Sequence, residues 1–186
     1  VYGNTSGWIE ENWNFNPTTP YAISRAAGDF HLKAMYESKK FPVIFTRASN
    51  VYGEGQPLYR IIPRAIAAAR LGEPLDLHGG GQSIRNFIHI SDVNDALFGL
   101  LTDANLGDCY HISGQKSISI YGLVNKIFEL CGQSKTADLI RIVGERSGKD
   151  FAYLLDSQSL RETLDWRDSI SLTEGIGRVI TWFDKW

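Results

Sequence analysis

Two kinds of apolar segment alternate along this chain, and that alternation restricts it to few folds. Phe41-Pro42-Val43-Ile44-Phe45-Thr46 is a short continuous apolar run, the pattern of a strand covered on both faces. It follows a helical segment opening near Pro20, with Thr19 placed to cap it and Pro20 at the first helical position. A second helix, around Ile62 to Leu71, stops at Gly72, where a glycine C-cap is expected. Residues 86–90 (NFIHI) and 108–113 (DCYHIS) read as further strands. Between them Val93, Ala96, Leu97, Leu100 and Leu101 recur at helical spacing behind a cap at Ser91 or Asp92. Ile120, Leu123, Val124, Ile127, Phe128 and Cys131 form another stripe, bracketed by Ser119 and Gly132. A last helix opens with Ser171 and Glu174 in capping-box spacing. Strands and helices in this succession predict an α/β fold, a parallel sheet covered by helices.

The 186 residues suffice for one full core or one and a half small lobes. A formal charge of −2 and a pI near 6.1 argue against a dedicated nucleic-acid binder. Any anionic ligand must therefore be held by a few placed arginines rather than by a global field. Cys109 and Cys131 lack a metal-type spacing and read as small apolar core residues of a reducing, cytoplasmic compartment. No apolar run approaches the roughly 18 residues of a membrane span. The opening at Val1, with neither an initiator methionine nor a basic leader, reads as the start of a fragment.

Tyr21 and Arg25 stand four residues apart and so share a helix face. A cation beside a phenol favours the phenolate, as proton transfer near neutrality requires. From spacing alone, a ring packed on a sheet beside a solvated charge is the better account. Arg47, Arg60, Arg85 and Arg146 lie in or beside turn-forming segments, Arg85 after Gly79-Gly80-Gly81 and Arg146 within GERSGKD. Guanidinium groups grip phosphates through paired hydrogen bonds, and neighbouring glycines let a ligand approach the backbone. His31, His78, His89 and His111 show no metal-like spacing, so no metal is expected, and His89 reads as a packed residue.

Taken in order, these stretches resemble a known family, the extended short-chain dehydrogenases/reductases that act on nucleotide sugars. VYG at 1–3 is similar to the end of the family's strand motif, and NPTTPYAISR at 16–25 to its Tyr-x-x-x-Lys helix. TRASNVYGEGQ at 46–56 resembles the segment that crosses toward the sugar site, and YRIIP at 59–63 the family's Lys/Arg-containing stretch before its helix. GGGQSIRNFIHISDV at 79–93, YHISG at 110–114 and RSGKDFAYLLD at 146–156 match three further blocks. Within the family the likeness leans to the dTDP-glucose 4,6-dehydratases, with UDP-sugar 4-epimerases as the alternative and a binding-only module for nucleotide diphosphate sugars as the rival.

The resemblance implies the C-terminal part of a Rossmann-type parallel sheet plus a smaller α/β substrate-binding lobe. Residues 1–53 would be a remnant of the NAD-binding domain carrying the tyrosine helix. Residues 54–186 would be mainly the sugar-nucleotide lobe, with about 91–113 returning to the first sheet. NAD is the implied cofactor, held weakly here because the family's glycine-rich pyrophosphate turn belongs to a region before Val1. Tyr21 would be the catalytic base, with Arg25 in the place of a lysine that bonds the nicotinamide ribose. Asn50, Arg60, Arg85, His111, Arg146 and Tyr153 would bind a dTDP- or UDP-hexose. A homodimer through the tyrosine helix is implied for the intact protein. Three positions depart from the family pattern: Arg25 for lysine, His111 for asparagine and Lys149 for histidine.

Overall fold

Helix α1 (Pro20–Lys39) begins where the sequence places it: the Thr19 hydroxyl accepts from the Ala22 N–H at 3.2 Å, and Pro20 occupies the first turn. In this computed structural model, which describes residues 1–3, 7–134, 136–144 and 152–185, α1 buries only Ala26. It ends at Lys40, whose left-handed backbone lets its N–H reach the carbonyls of Met35 and Tyr36.

The chain then enters β2 (Phe45–Ala48) and β3 (Asn50–Tyr52), followed by α2 (Ile61–Leu71) and β4 (Leu75–His78). A glycine turn with positive φ at Gly79, Gly80 and Gly81 leads into β5 (Ile84–His89) and α3 (Ile90–Asp103). Next come β6 (Cys109–Ile112), β7 (Ser117–Ser119), α4 (Ile120–Leu130), β8 (Ile140–Val143) and β9 (Ala152–Leu155), before α5 (Gln158–Leu164) and α6 (Leu172–Phe183). A two-residue strand, β1 (Trp8–Ile9), precedes them all.

Strand β5 is the hub. It pairs in parallel with β3 and with β9, and antiparallel with β7, while β1 extends the sheet beyond β9. Two separate parallel pairs, β2 with β6 and β4 with β8, complete the sheets. The parallel α/β architecture expected from the alternating segments is thus present, with β7 as the antiparallel exception.

Two apolar clusters hold it. In one, Ile62 and Ile66 of α2 meet Leu77 of β4, Ile127 and Phe128 of α4 and Ile176 of α6. In the other, Val93, Ala96 and Leu100 of α3 pack on Ile88, Ile112 and Leu160. Burying each such aliphatic or aromatic side chain contributes about 1.5–3 kcal/mol. Both clusters lie away from α1, whose Ile23 and Phe30 stay exposed.

The cap of α3 differs from expectation. His89, not Ser91 or Asp92, is the N-cap, its Nδ1 accepting from the Ser91 N–H at 3.2 Å. Asp92 is buried instead, and its carboxylate accepts from the Ser169 N–H and hydroxyl and from the Ile170 N–H. An acid in a first helical turn was therefore free to serve a distant loop once an imidazole had taken the cap.

Candidate active site

One face of the β3–β5–β9 sheet forms the floor of a cleft. Arg85 and Tyr153 are register partners on adjacent strands, as are Phe87 and Asn50. Arg85 and Phe87 are two apart on β5, so all four side chains lie on the same face. Beneath them the buried Asn86 fixes the floor. Its oxygen accepts from the Ser49 hydroxyl and the Gly114 N–H, and its amide donates to the carbonyls of Gly114 and Lys116.

The walls come from helix N-termini. Thr19, Tyr21, Ala22 and Arg25 of the α1 start, Arg60 and Ile61 of the α2 start and Ile120 of the α4 start all line the space, which measures about 810 Å³. Helix N-termini carry partial positive charge. Arg25, Arg60 and Arg85 add three cations, and among the described residues no carboxylate lines the cleft. Such a site attracts a polyanion even on a chain of net negative charge.

Most of the residues singled out in the sequence meet here. Tyr21, Arg25, Asn50, Arg60, Arg85 and Tyr153 share this one cleft. Tyr21 is 75% exposed, which overturns the reading of its ring as packed on a sheet. Asn50 donates from Nδ2 to the Asn86 carbonyl at 2.9 Å, which pins its amide at the cleft floor. Arg146 and Lys149 lie outside the described residues.

His111 is a correction. It is fully buried on β6, away from the cleft, and its ring is wholly engaged. Nε2 shares a 2.7 Å hydrogen bond with the Tyr2 hydroxyl, and Nδ1 faces the carbonyls of Ile9 and Asp156. Burial, reinforced by the Arg47 cation, pulls its pKa down to about 4. It ties the N-terminal segment to the sheet and does not line the cleft where the sequence reading places it. Arg47 is likewise no phosphate ligand: it is 8% exposed, paired with Asp29 at 3.0 Å, and caged by the rings of Tyr2, Trp13 and Phe15. A turn-flanked arginine looks the same in sequence whether it faces a ligand or a cage; only the surrounding aromatic residues could have signalled the difference. Tyr59 and Gln56 also line the cleft, within stretches quoted from the sequence but not singled out there.

Comparison with known proteins decides the family. Residues 1–113 match the model of the NAD dependent epimerase/dehydratase family. The chain belongs to that family. A dTDP-D-glucose 4,6-dehydratase of Mus musculus is 31% identical over the whole chain, and a dTDP-glucose 4,6-dehydratase of Haemophilus influenzae is 30% identical over 98% of it. The chain spans 53% and 58% of those two epimerase/dehydratase relatives. A solved dTDP-glucose 4,6-dehydratase from Streptomyces venezuelae, with NAD and TYD bound, superimposes on all of the chain with a TM-score of 0.94 at 28% identity, over 57% of its own length. A UDP-glucuronic acid 4-epimerase from Bacillus cereus gives 0.92 at 21% identity, covering all of this chain and 59% of its own, which is a likeness of fold. The α/β architecture of this family member is therefore that of the NAD-dependent epimerases and dehydratases. No helix among the described residues is long and apolar enough to cross a membrane.

Proposed function

We propose that this chain carries the tyrosine helix and the sugar-nucleotide site of an NAD-dependent nucleotide-sugar 4,6-dehydratase acting on dTDP-glucose. The observation that carries the reading is the convergence of Tyr21, Arg25, Arg60 and Arg85 on one cleft that no carboxylate lines among the described residues. Residues 1–53 and about 91–113 are assigned to the NAD-binding domain, which the pairing of β2 with β6 supports. The remainder is assigned to the sugar-nucleotide lobe.

NAD fits the residues present: Tyr21 and Arg25 share one face of α1 at the cleft, a phenol and a fork of donors side by side. When bound, NAD supplies a reversible hydride acceptor for C4 of the sugar, which allows water loss across C5–C6 and return of the hydride without net consumption. Tyr21 receives the proton of the sugar 4-hydroxyl. Arg25 donates to the nicotinamide ribose. Arg60 and Arg85 hold the diphosphate through charge-assisted bonds, with Arg146 assigned to the same task, while Asn50 and Tyr153 contact the sugar-phosphate end. The setting is a reducing cytoplasm, with which the free thiols of Cys109 and Cys131 agree. The partner is a second copy across α1, whose Ile23 and Phe30 are exposed.

A second reading, a module that binds nucleotide diphosphate sugars without turning them over, is favoured by Arg25. Its planar guanidinium is bulkier than the lysine ammonium it replaces. The full-length protein supplied with NAD and dTDP-glucose should release a 4-keto-6-deoxy sugar, with the product lost in Tyr21→Phe. A 4-epimer as product selects the epimerase, and binding without product selects the second reading. Failure of the chain to bind any nucleotide sugar in calorimetry removes the proposal altogether.

A further inference from the structure

Tyr59 has no structural task that accounts for its placement. It lies between β3 and α2, lines the cleft, and is 75% exposed. An exposed ring on a solvated loop needs no explanation, but this loop is tied down at both ends. At its start the Gly53 backbone lies so close to α3 that a Cβ there would stand 2.5 Å from the Ile90 side chain. Gln56 then folds back onto β3, its side chain donating to the Val51 carbonyl at 2.9 Å and its N–H to the Gly53 carbonyl. The Arg60 N–H closes a turn onto the Pro57 carbonyl at 3.0 Å, and Arg60 is itself the N-cap of α2. Tyr59 is thus presented to the cleft by a fixed turn.

Its contacts point the same way. The Arg60 guanidinium carbon sits 5.7 Å from the Tyr59 ring centroid, within cation–π range. A phosphate drawn to Arg60 would therefore bring whatever ring adjoins that phosphate against the Tyr59 face. Of the other cleft aromatics, Tyr21 is equally exposed but already carries the proton-transfer assignment, while Phe87 and Tyr153 are half-buried and seated on the sheet floor.

We propose that Tyr59 is a stacking platform, its exposed face covering the flat apolar face of a ring joined to the bound diphosphate. The proposal rests on the sugar-nucleotide reading of the cleft and adds a specificity-determining residue to it. Rigid aromatic rings stack on ligand rings at low cost in conformational freedom, and truncating one to alanine weakens such binding by about tenfold or more.

The test is calorimetric titration of the full chain with dTDP-glucose and, separately, with dTDP, in wild type, Tyr59→Ala and Tyr59→Phe. The expected result is a loss of about tenfold in affinity for dTDP-glucose in Tyr59→Ala, with Tyr59→Phe binding as wild type and all three melting alike. An equal loss for dTDP identifies the stacked ring as the nucleoside's; an unchanged affinity for dTDP identifies it as the hexose. Wild-type affinity of Tyr59→Ala for both ligands overturns the platform while leaving the arginine site standing. A wild-type chain that binds neither ligand overturns the sugar-nucleotide reading, and the platform with it.

Discussion

Asp29 accepts from Arg47 Nε at 3.0 Å, and Asp29 lies one helical turn beyond Arg25, two beyond Tyr21, on the same side of α1. The ion pair is therefore an anchor for the helix that brings both cleft residues to the site. It matters because α1 buries so little else, Ala26 being its one buried residue. The Arg47 side chain also donates to the Tyr2 hydroxyl at 2.7 Å and to the Asn12 carbonyl, so one guanidinium links α1, β2 and the N-terminal segment.

Truncating this arginine should be costly. Arg47→Ala leaves Asp29 without its partner and empties an aromatic cage, a loss of about 3 kcal/mol by analogy with broken buried pairs. Chemical denaturation followed by tryptophan fluorescence checks it, and an unchanged midpoint would refute the anchoring role.

Acid should weaken the fold through His111. Its folded pKa is pulled down to about 4 from 6.5. Between those values the unfolded chain carries a proton on this imidazole and the folded chain does not, so stability falls as pH drops through the window. The full effect amounts to about 3 kcal/mol. Melting temperatures across pH 4 to 7 should show the slope, and His111→Asn should flatten it.

Asp92 supports the loop before α6 with three hydrogen bonds from Ser169 and Ile170. Asp92→Ala strips partners from two backbone N–H groups near a buried position, which costs about 1–3 kcal/mol. Hydrogen exchange at the amides of Ser169 and Ile170 should accelerate selectively. Equal protection in both proteins would contradict this account.

Tyr52 and Gly175 form a steric pair. A Cβ on Gly175 would stand within contact of the Tyr52 hydroxyl, and that buried hydroxyl has no hydrogen-bond partner among the described residues. Burial pushes its pKa up. Tyr52→Phe should thus be neutral or stabilising, since it removes an unpaired buried group. Gly175→Ala should destabilise by about 1–3 kcal/mol and be partly rescued in the Tyr52→Phe background. Thermal melts of the two single variants and the double variant measure the coupling.

Much of the architecture was legible because periodicity reports burial. The α1, α2, α4 and α6 caps at Thr19, Gly72, Ser119 and Ser171 carry local signals that the neighbouring residues complete. The short strands β1, β4 and β7 carry two to four residues each, too few for a period to stand out from the neighbouring loops. Their pairing is set by distant partners, as Trp8 with Leu154 shows. At the site, Arg60 and Arg85 were legible beside turns, yet Arg47 bore the same local marks and belongs to a cage. His111 showed the limit of a motif likeness: a buried imidazole and a ligand imidazole occupy identical strand positions, and only Tyr2, over a hundred residues away, tells them apart.

The gathering of Arg25, Arg60 and Arg85 at one cleft has a consequence for how it would hold an anion. Arg25 and Arg60 are exposed, so their pull acts through water and its dissolved ions, and anion binding there should weaken as ionic strength rises. The grip of the cleft is thus set as much by the surrounding electrolyte as by its own shape.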